Sequence, residues 1–245
     1  MPTTTLPLLY AITAILFIWE QMRPAHKDKR SVNWYARALL MNLMQLGVFF
    51  LIDSFWSVQD GRFMLFSLQD SVSPFVGALI AYFVFTFVIY WWHRARHGNE
   101  FIWRVFHQLH HSPKRIETLT SYYIHPLDMT ATLFISNVIV YVLLGLSFES
   151  AGWYTLITGL AGFFIHANIS VPRWVGFVFQ TPAMHRLHHK SNHHAHNYSD
   201  IVCWDMLFGT YSNPKQHVED CGFDELREKQ LLPMLFGKDL YKITK

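Results

Sequence analysis

The chain has 245 residues and a formal net charge of +3 at pH 7, long enough for one domain with a core and too weakly basic for a nucleic-acid binder. Hydrophobic residues make up 51% and charged residues 15%, against roughly 25% charged residues in soluble domains, so a membrane environment is expected. The two cysteines, Cys203 and Cys221, form no C-x-x-C pair or disulfide framework and read as free thiols facing a reducing compartment.

The first apolar stretch runs from Leu6 to Trp19 and extends to Met22 if tilted. No basic segment precedes it and no small-residue cleavage site follows, so it reads as an anchor rather than a signal peptide. The second runs from Ala36 to Trp56 and the third from Pro74 to Trp92. The fourth, Met129 to Leu146, and the fifth, Trp153 to His166, flank a short turn around Ser147 to Gly152. They predict a helical hairpin that enters the membrane at least in part. The expected fold is all-α: an integral membrane protein with four to five transmembrane or membrane-embedded helices and a cytosolic, histidine-rich helical cap. One domain is expected, with membrane helices over 1–92, a first histidine region over 93–128, the hairpin over 129–166, and a second histidine region with a C-terminal cap over 167–245.

Charge sets the expected orientation. The first connection carries Arg23, Lys27, Lys29, Arg30 and Arg37; the second, Ser57 to Ser73, carries only Arg62; the hairpin tip carries no Lys or Arg. A cytoplasmic first loop puts all Lys and Arg residues except Arg62, and every histidine cluster, on the cytoplasmic side. From Tyr211 the tail is polar and mixed. Leu231, Leu232, Leu235 and Phe236 could face a membrane surface from a short interfacial helix, or belong to an ordinary cytosolic cap.

Histidine is the outlier: thirteen of fifteen fall between His93 and His196. His93 and His97 sit where the third apolar helix leaves the membrane, and i, i+4 spacing puts both on one face. His107, His110 and His111 follow, again sharing a face, with Pro113 ending the helix. His185, His188 and His189 repeat that H-x2-H-H spacing. In each triplet the second of the adjacent histidines can turn towards a second ion. His166 ends the fifth segment and His125 precedes the fourth, and ionisable groups at such boundaries are functional candidates. One of His193, His194 and His196, with His193 or His196 favoured over His194, could add a further ligand, or the three belong to a solvated loop. His26 and His217 read as surface residues.

Imidazole suits iron, zinc, copper and nickel. Eight to ten imidazoles exceed what one ion takes, so two ions sharing them are expected. No Glu-x-x-His pair of the soluble di-iron bundles is present, which leaves carboxylates to the outer shell. Asp128, Asn168, Asn197, Asp200 and Asp205 are placed to accept from ligand imidazoles, or to serve as caps and turn residues.

The run Trp92, His93, Arg94 with His97, then His107, His110, His111 and Ser112, then His125-Pro126, resembles the fatty acid hydroxylase and sterol desaturase superfamily. So do His185, His188 and His189, Asn197-Tyr198, Trp204-Asp205 and Phe208-Gly209-Thr210. The resemblance spans residues 75–215. Family members often have glycine after the Asn-Tyr pair, where this chain has Ser199. The resemblance implies a membrane-bound centre of two iron ions that uses O2, with ligands at His93, His97, His107, His110, His111, His166, His185, His188 and His189. It implies hydroxylation of an unactivated C–H bond of a fatty acyl, sterol or related lipid, or desaturation at the same centre. It also implies electrons from a separate donor, cytochrome b5-like or a ferredoxin with its reductase, since no such module is attached. Phe83, Phe85, Phe87, Tyr90 and Trp91 could line a slot for the lipid or face lipid and other helices.

Two other classes compete. A di-zinc hydrolase or isomerase would use the same residue type, although a catalytic zinc needs only three protein ligands, and zinc can occupy such sites in a purified sample. A metal transporter would spread its ligands along a membrane path, whereas these cluster at helix ends on one side. Bacterial plasma membrane is the favoured location, with endoplasmic reticulum the alternative.

Overall fold

The computed structural model describes residues 5–29, 31–57, 63–215 and 218–241; Arg30, Arg62 and His217 lie outside them. Three long helices come first: α1 (Thr5–Met22), α2 (Val32–Ser57) and α3 (Pro74–Gly98). Ser73 caps α3 by accepting from the Val76 N–H, and Pro74 opens its first turn. After Asn99 come the short α4 (Glu100–Ile102) and a π-helical turn, Trp103–His107. Next are α5 (Pro126–Asn137), a second π-helical turn, Val138–Leu143, and α6 (Phe148–His166). Short helices finish the chain: α7 (Pro182–His188), α8 (Cys203–Leu207), α9 (Glu225–Glu228) and α10 (Leu231–Leu235). The described residues contain no named strand, only two isolated bridges.

Four stretches are long and apolar enough to cross a membrane: α1, Val32–Trp56 of α2, α3, and Pro126–Leu143. Ile15, Ile18, Leu39, Leu43, Leu51, Phe55 and Phe83 are exposed on them, as hydrocarbon-facing positions should be. The fifth apolar stretch is a helix packed inside the bundle. Its Gly159 lets α1 approach so closely that a Cβ there would lie 2.7 Å from Leu9 Cδ2. The hairpin turn is tighter than its composition suggests, because Ser147 accepts from the Ser150 N–H and starts α6 at Phe148.

Two cores result. Within the membrane, Ala78, Ala81, Tyr82, Phe85 and Ile89 of α3 pack on Ile139, Val140, Ala151 and Tyr154. At the other end of α2, Trp34, Ala38 and Met41 pack on Trp103, Leu109, Tyr123, Phe223, Met234 and Leu240, which fastens the C-terminal cap to the bundle. In α10, Leu231, Met234 and Leu235 face this core, while Leu232 and Phe236 point outwards. The four leucine and phenylalanine positions therefore do not share one membrane-facing side.

His26 is half-buried rather than a surface residue. Its N–H donates to Asn168 Oδ1 (2.8 Å), and its carbonyl accepts from Asn168 Nδ2 (2.9 Å), tying the first connection to the end of α6. Cys203 and Cys221 are free.

Candidate metal centre

The cluster begins with the last two turns of α3. His93 and His97 share one face there, beside the π-helical turn that ends at His107. A π turn inserts an extra residue into the helical ladder and rotates His107 relative to the α-helical register. The segment carrying His110 and His111 is pinned by Gly222, whose N–H donates to the His189 carbonyl while the Phe223 N–H donates to the Ser112 carbonyl. Thr181 caps α7, and Pro182 opens it, which sets His185 and His188 one turn apart.

Nine histidines form two groups. His93, His97, His107, His111 and His188 make one; His110, His166, His185 and His189 make the other. Within each group one ring nitrogen per residue lies within 4.8 Å of all the rest. The adjacent pairs His110–His111 and His188–His189 each send one ring to either group.

Ring-nitrogen spacing tests whether an ion fits. Nε2 of His97 and His188 are 3.1 Å apart. His166 Nε2 lies 2.8 Å from His185 Nε2 and 3.2 Å from His110 Nε2, and His185 Nε2 lies 3.1 Å from His189 Nε2. Two nitrogens about 2.1 Å from one ion at right angles are about 3.0 Å apart, so these spacings match edges of a coordination polyhedron. The Nε2 atoms of His93, His107 and His111 are buried with no protein partner, a costly state unless something else engages them.

In four of the nine rings the other nitrogen is held by a protein oxygen, whereas Nδ1 of His110, His185 and His189 is buried without a partner. Nδ1–H of His93 donates to the Tyr198 carbonyl (2.9 Å), that of His188 to the His196 carbonyl (2.8 Å) and that of His166 to the Gly162 carbonyl (2.7 Å). His107 Nδ1 faces Asp128 Oδ2 at 3.3 Å. Each contact fixes the proton on Nδ1 and leaves the Nε2 lone pair aimed inwards. Burial holds His107, His110, His111, His185 and His189 well below the ordinary imidazole pKa and His188 down to about 3. All six are therefore neutral at pH 7, the state in which imidazole binds a metal.

The remaining sequence candidates are placed as follows. His125 joins neither group: its Nδ1 accepts from the Leu127 N–H, capping α5, and its Nε2–H donates to the Leu235 carbonyl (3.0 Å). His193 and His196 also stand apart, stacked on one another with ring nitrogens 3.0 Å apart. His196 contributes its carbonyl instead, from a left-handed backbone at φ 68°. Asp128 accepts from Arg96 (2.5 Å) as well as facing His107. Asp205 accepts from the backbone of Tyr198 and Ser199 and so acts on His93 through the Tyr198 carbonyl. Asn197 locks its loop to Met184 and Ser212. Asn168 and Asp200 touch no histidine ring: Asn168 bonds the His26 backbone, and Asp200 accepts from Tyr82 (3.4 Å).

Two participants were not among the candidates, and His194 stood only as the least favoured of its cluster. Arg96 is buried against Asp128. His194 Nδ1 lies 3.1 Å from His97 Nδ1, and the His194 ring packs on Trp103 and Tyr241. The third contribution is a set of backbone carbonyls. Arg96 was findable, since it lies inside the H-x3-H run; a carbonyl acceptor leaves no trace in residue types.

A model of one protein family, described as fatty acid hydroxylase, matches residues 78–210, more than half of the chain and all nine clustered histidines. The chain belongs to the fatty acid hydroxylase family. Among its relatives, this fatty acid hydroxylase family member is 30% identical to an ornithine lipid hydroxylase of Rhizobium tropici over 132 residues, 52% of this chain and 39% of that protein. It is 29% identical over 139 residues to a protein of Arabidopsis thaliana named for a Delta(7)-sterol-C5(6)-desaturase, 52% of this chain and 45% of that one. A very-long-chain aldehyde decarbonylase of rice is 28% identical over 192 residues, 69% of this chain and 28% of that protein. The chain thus matches less than half the length of each relative. No solved structure matches it.

Proposed function

We propose that this protein is an O2-dependent lipid hydroxylase with one iron ion in each histidine group. The observation that carries this reading is a cavity of about 240 Å³ that opens between the membrane helices and is walled at one end by both groups, through His93 and His107 of one and His110, His166 and His185 of the other. Phe85 and Ile89 of α3, Met129 and Leu133 of α5 and Ile165 of α6 line it beside the histidines. A largely apolar slot ending at a histidine cluster is suited to a hydrocarbon chain.

Bound there, the metal pair supplies O2 activation and attack on an unactivated C–H bond. The protein supplies the rest. Nine imidazoles would hold the ions, the Asp128 carboxylate and three carbonyls orient four of the rings, and the apolar walls exclude water and align the chain. Arg96 and Asp128 compensate each other at the cluster edge, so neither charge is left uncompensated beside the cavity. On this reading electrons come from a separate donor on the cytoplasmic side, a side favoured by the excess of Lys and Arg in the first connection.

The test compares accurate-mass lipid profiles of aerobic, iron-replete cells making this protein or its His110→Ala variant. A lipid class one oxygen heavier in the wild type alone is expected and identifies the substrate. A class two hydrogens lighter would assign desaturation instead. Equal profiles, with both proteins intact and a competent reductase present, would overturn the oxygenase reading.

A further inference from the structure

The cavity is not apolar throughout. Its end remote from the histidines is ringed by polar side chains from separate elements: Asp53 of α2, Ser136 and Asn137 of α5, Tyr154 of α6, and Asp200 of the loop after Tyr198. That loop reaches deep along α3, because Ser199 Oγ donates to the Thr86 carbonyl (3.0 Å) and Trp204 Nε1 to Thr86 Oγ1 (3.0 Å). Asp200 consequently meets Tyr82 rather than the histidine cluster. Counting along each helix at about 1.5 Å per residue, Ser136 lies about 12 Å from Asp128, Tyr82 about 16 Å from His93 and Tyr154 about 18 Å from His166. These three residues therefore lie about 12–18 Å, two to three turns, from the histidine end of the cavity.

Acceptors prevail in the ring. The Tyr82 hydroxyl donates to Asp200, the Tyr154 hydroxyl to Ser136 and the Asn137 amide to the Leu133 carbonyl. The hydroxyls of Ser136 and of Tyr141, which also lines the cavity near Asp53, keep a proton to donate, while the two carboxyl groups and the Asn137 oxygen retain accepting capacity. Among the described residues lining the cavity the only Lys or Arg is Arg96, which stands at the histidine end and is bound to Asp128. Ionisable groups within the membrane are expensive and mark binding sites, and Asp53 and Asp200 face one cavity from unrelated parts of the chain.

We propose that this ring of acceptors binds the hydrogen-bond-donating head of the substrate, an amine or a hydroxyl, and rejects a carboxylate or phosphate. The head lies deep and the chain runs back towards the cap, so the carbon presented to the metals is about 12–18 Å from the head. This rests on the lipid-hydroxylase reading for what happens at the far end, and on the cavity alone for what binds.

Binding and turnover can be separated. The full chain in detergent, metal-free and iron-loaded, is titrated by native mass spectrometry with four amphiphiles of one chain length: alkylamine, alkanol, fatty acid and alkyl phosphate. The expected result is at least tenfold preference for amine, alkanol or both over the two anions, in both metal states. In Asp53→Asn that preference shrinks, and in Asp53→Asn/Asp200→Asn it falls to within about threefold. Asp53→Asn alone keeps the test valid if the double variant does not fold. Equal or tighter binding of the fatty acid or phosphate, no binding of any amphiphile, or an unchanged preference in Asp53→Asn would overturn the proposal. Selective binding without any oxidised product would leave it standing and refute the hydroxylase reading instead.

Discussion

Asp128 shows how one side chain can govern a cluster it does not join. It is fully buried, and its Oδ2 faces both Arg96 and the Nδ1 of His107. Replacing it with Asn keeps the volume but leaves the Arg96 guanidinium without its counter-charge, and an uncompensated buried charge is strongly destabilising. It also weakens the preference of His107 for the Nδ1–H tautomer that frees Nε2. Outer-shell changes of this kind cost 10–100-fold in metal affinity, and Asp128→Asn is expected to lose metal in that range against a competing chelator. Direct removal of a ring should differ in kind: His111→Ala lowers bound metal itself, whereas His193→Ala, outside both groups, leaves the metal-to-protein ratio unchanged in elemental analysis. Equal ratios in His111→Ala and the wild type would remove His111 from the ligand set.

At the scale of elements, two histidine-bearing segments distant in sequence are held in register by a third. Gly222 bonds the His189 carbonyl, its neighbour Phe223 bonds the Ser112 carbonyl, and Ser191 Oγ donates back to the Gly222 carbonyl. Gly222 has φ +71°, and a Cβ there would lie 2.2 Å from the Pro113 carbonyl oxygen. Gly222→Ala therefore combines left-handed strain of about 1–3 kcal/mol with a backbone clash. It is expected to lower metal retention at both groups and the melting temperature of the cap, while far-UV circular dichroism from the long membrane helices persists. Retention of full metal content would show that the two segments do not depend on this clasp. No residue type near position 222 advertises that role, because it depends on a contact between segments about 110 residues apart in sequence. The long helices and histidine triplets were legible for the opposite reason: hydropathy and i, i+3, i+4 spacing are local. His125 was ambiguous between ligand and cap, and the cap reading follows from Pro126 beside it, which makes His125 the residue preceding a helix start. The hairpin boundary was misread at Trp153 because the Ser147 cap lies inside what composition alone presents as a turn.

For the whole molecule, the cluster is a store of destabilisation that a bound metal would relieve. Six imidazoles outside the membrane helices are buried neutral, with His188 lowered to about 3 by burial. Their folded pKa values lie below the ordinary value near 6.5, so below pH 6.5 the unfolded chain binds more protons than the folded one. Stability is fully present above that pH and falls as the pH drops from 6.5 towards the lowered values, by about 1.4 kcal/mol per pH unit for each independent group. Coupling among neighbouring rings makes the total smaller than a simple multiple. Metal binding would oppose the loss, since an ion bound only by the folded state adds RT ln(1 + [L]/Kd), and folded rings that are already neutral need shed no proton to bind it. Melting temperatures measured from pH 7.5 to 5 should thus fall together as the pH drops, with protein in excess ferrous iron above chelator-treated protein throughout. The gap stays nearly constant because the folded imidazoles are already neutral across that range. Curves that converge towards pH 5 would show that the folded rings take up protons in competition with the ion, and coincident curves would mean that the folded chain does not hold it.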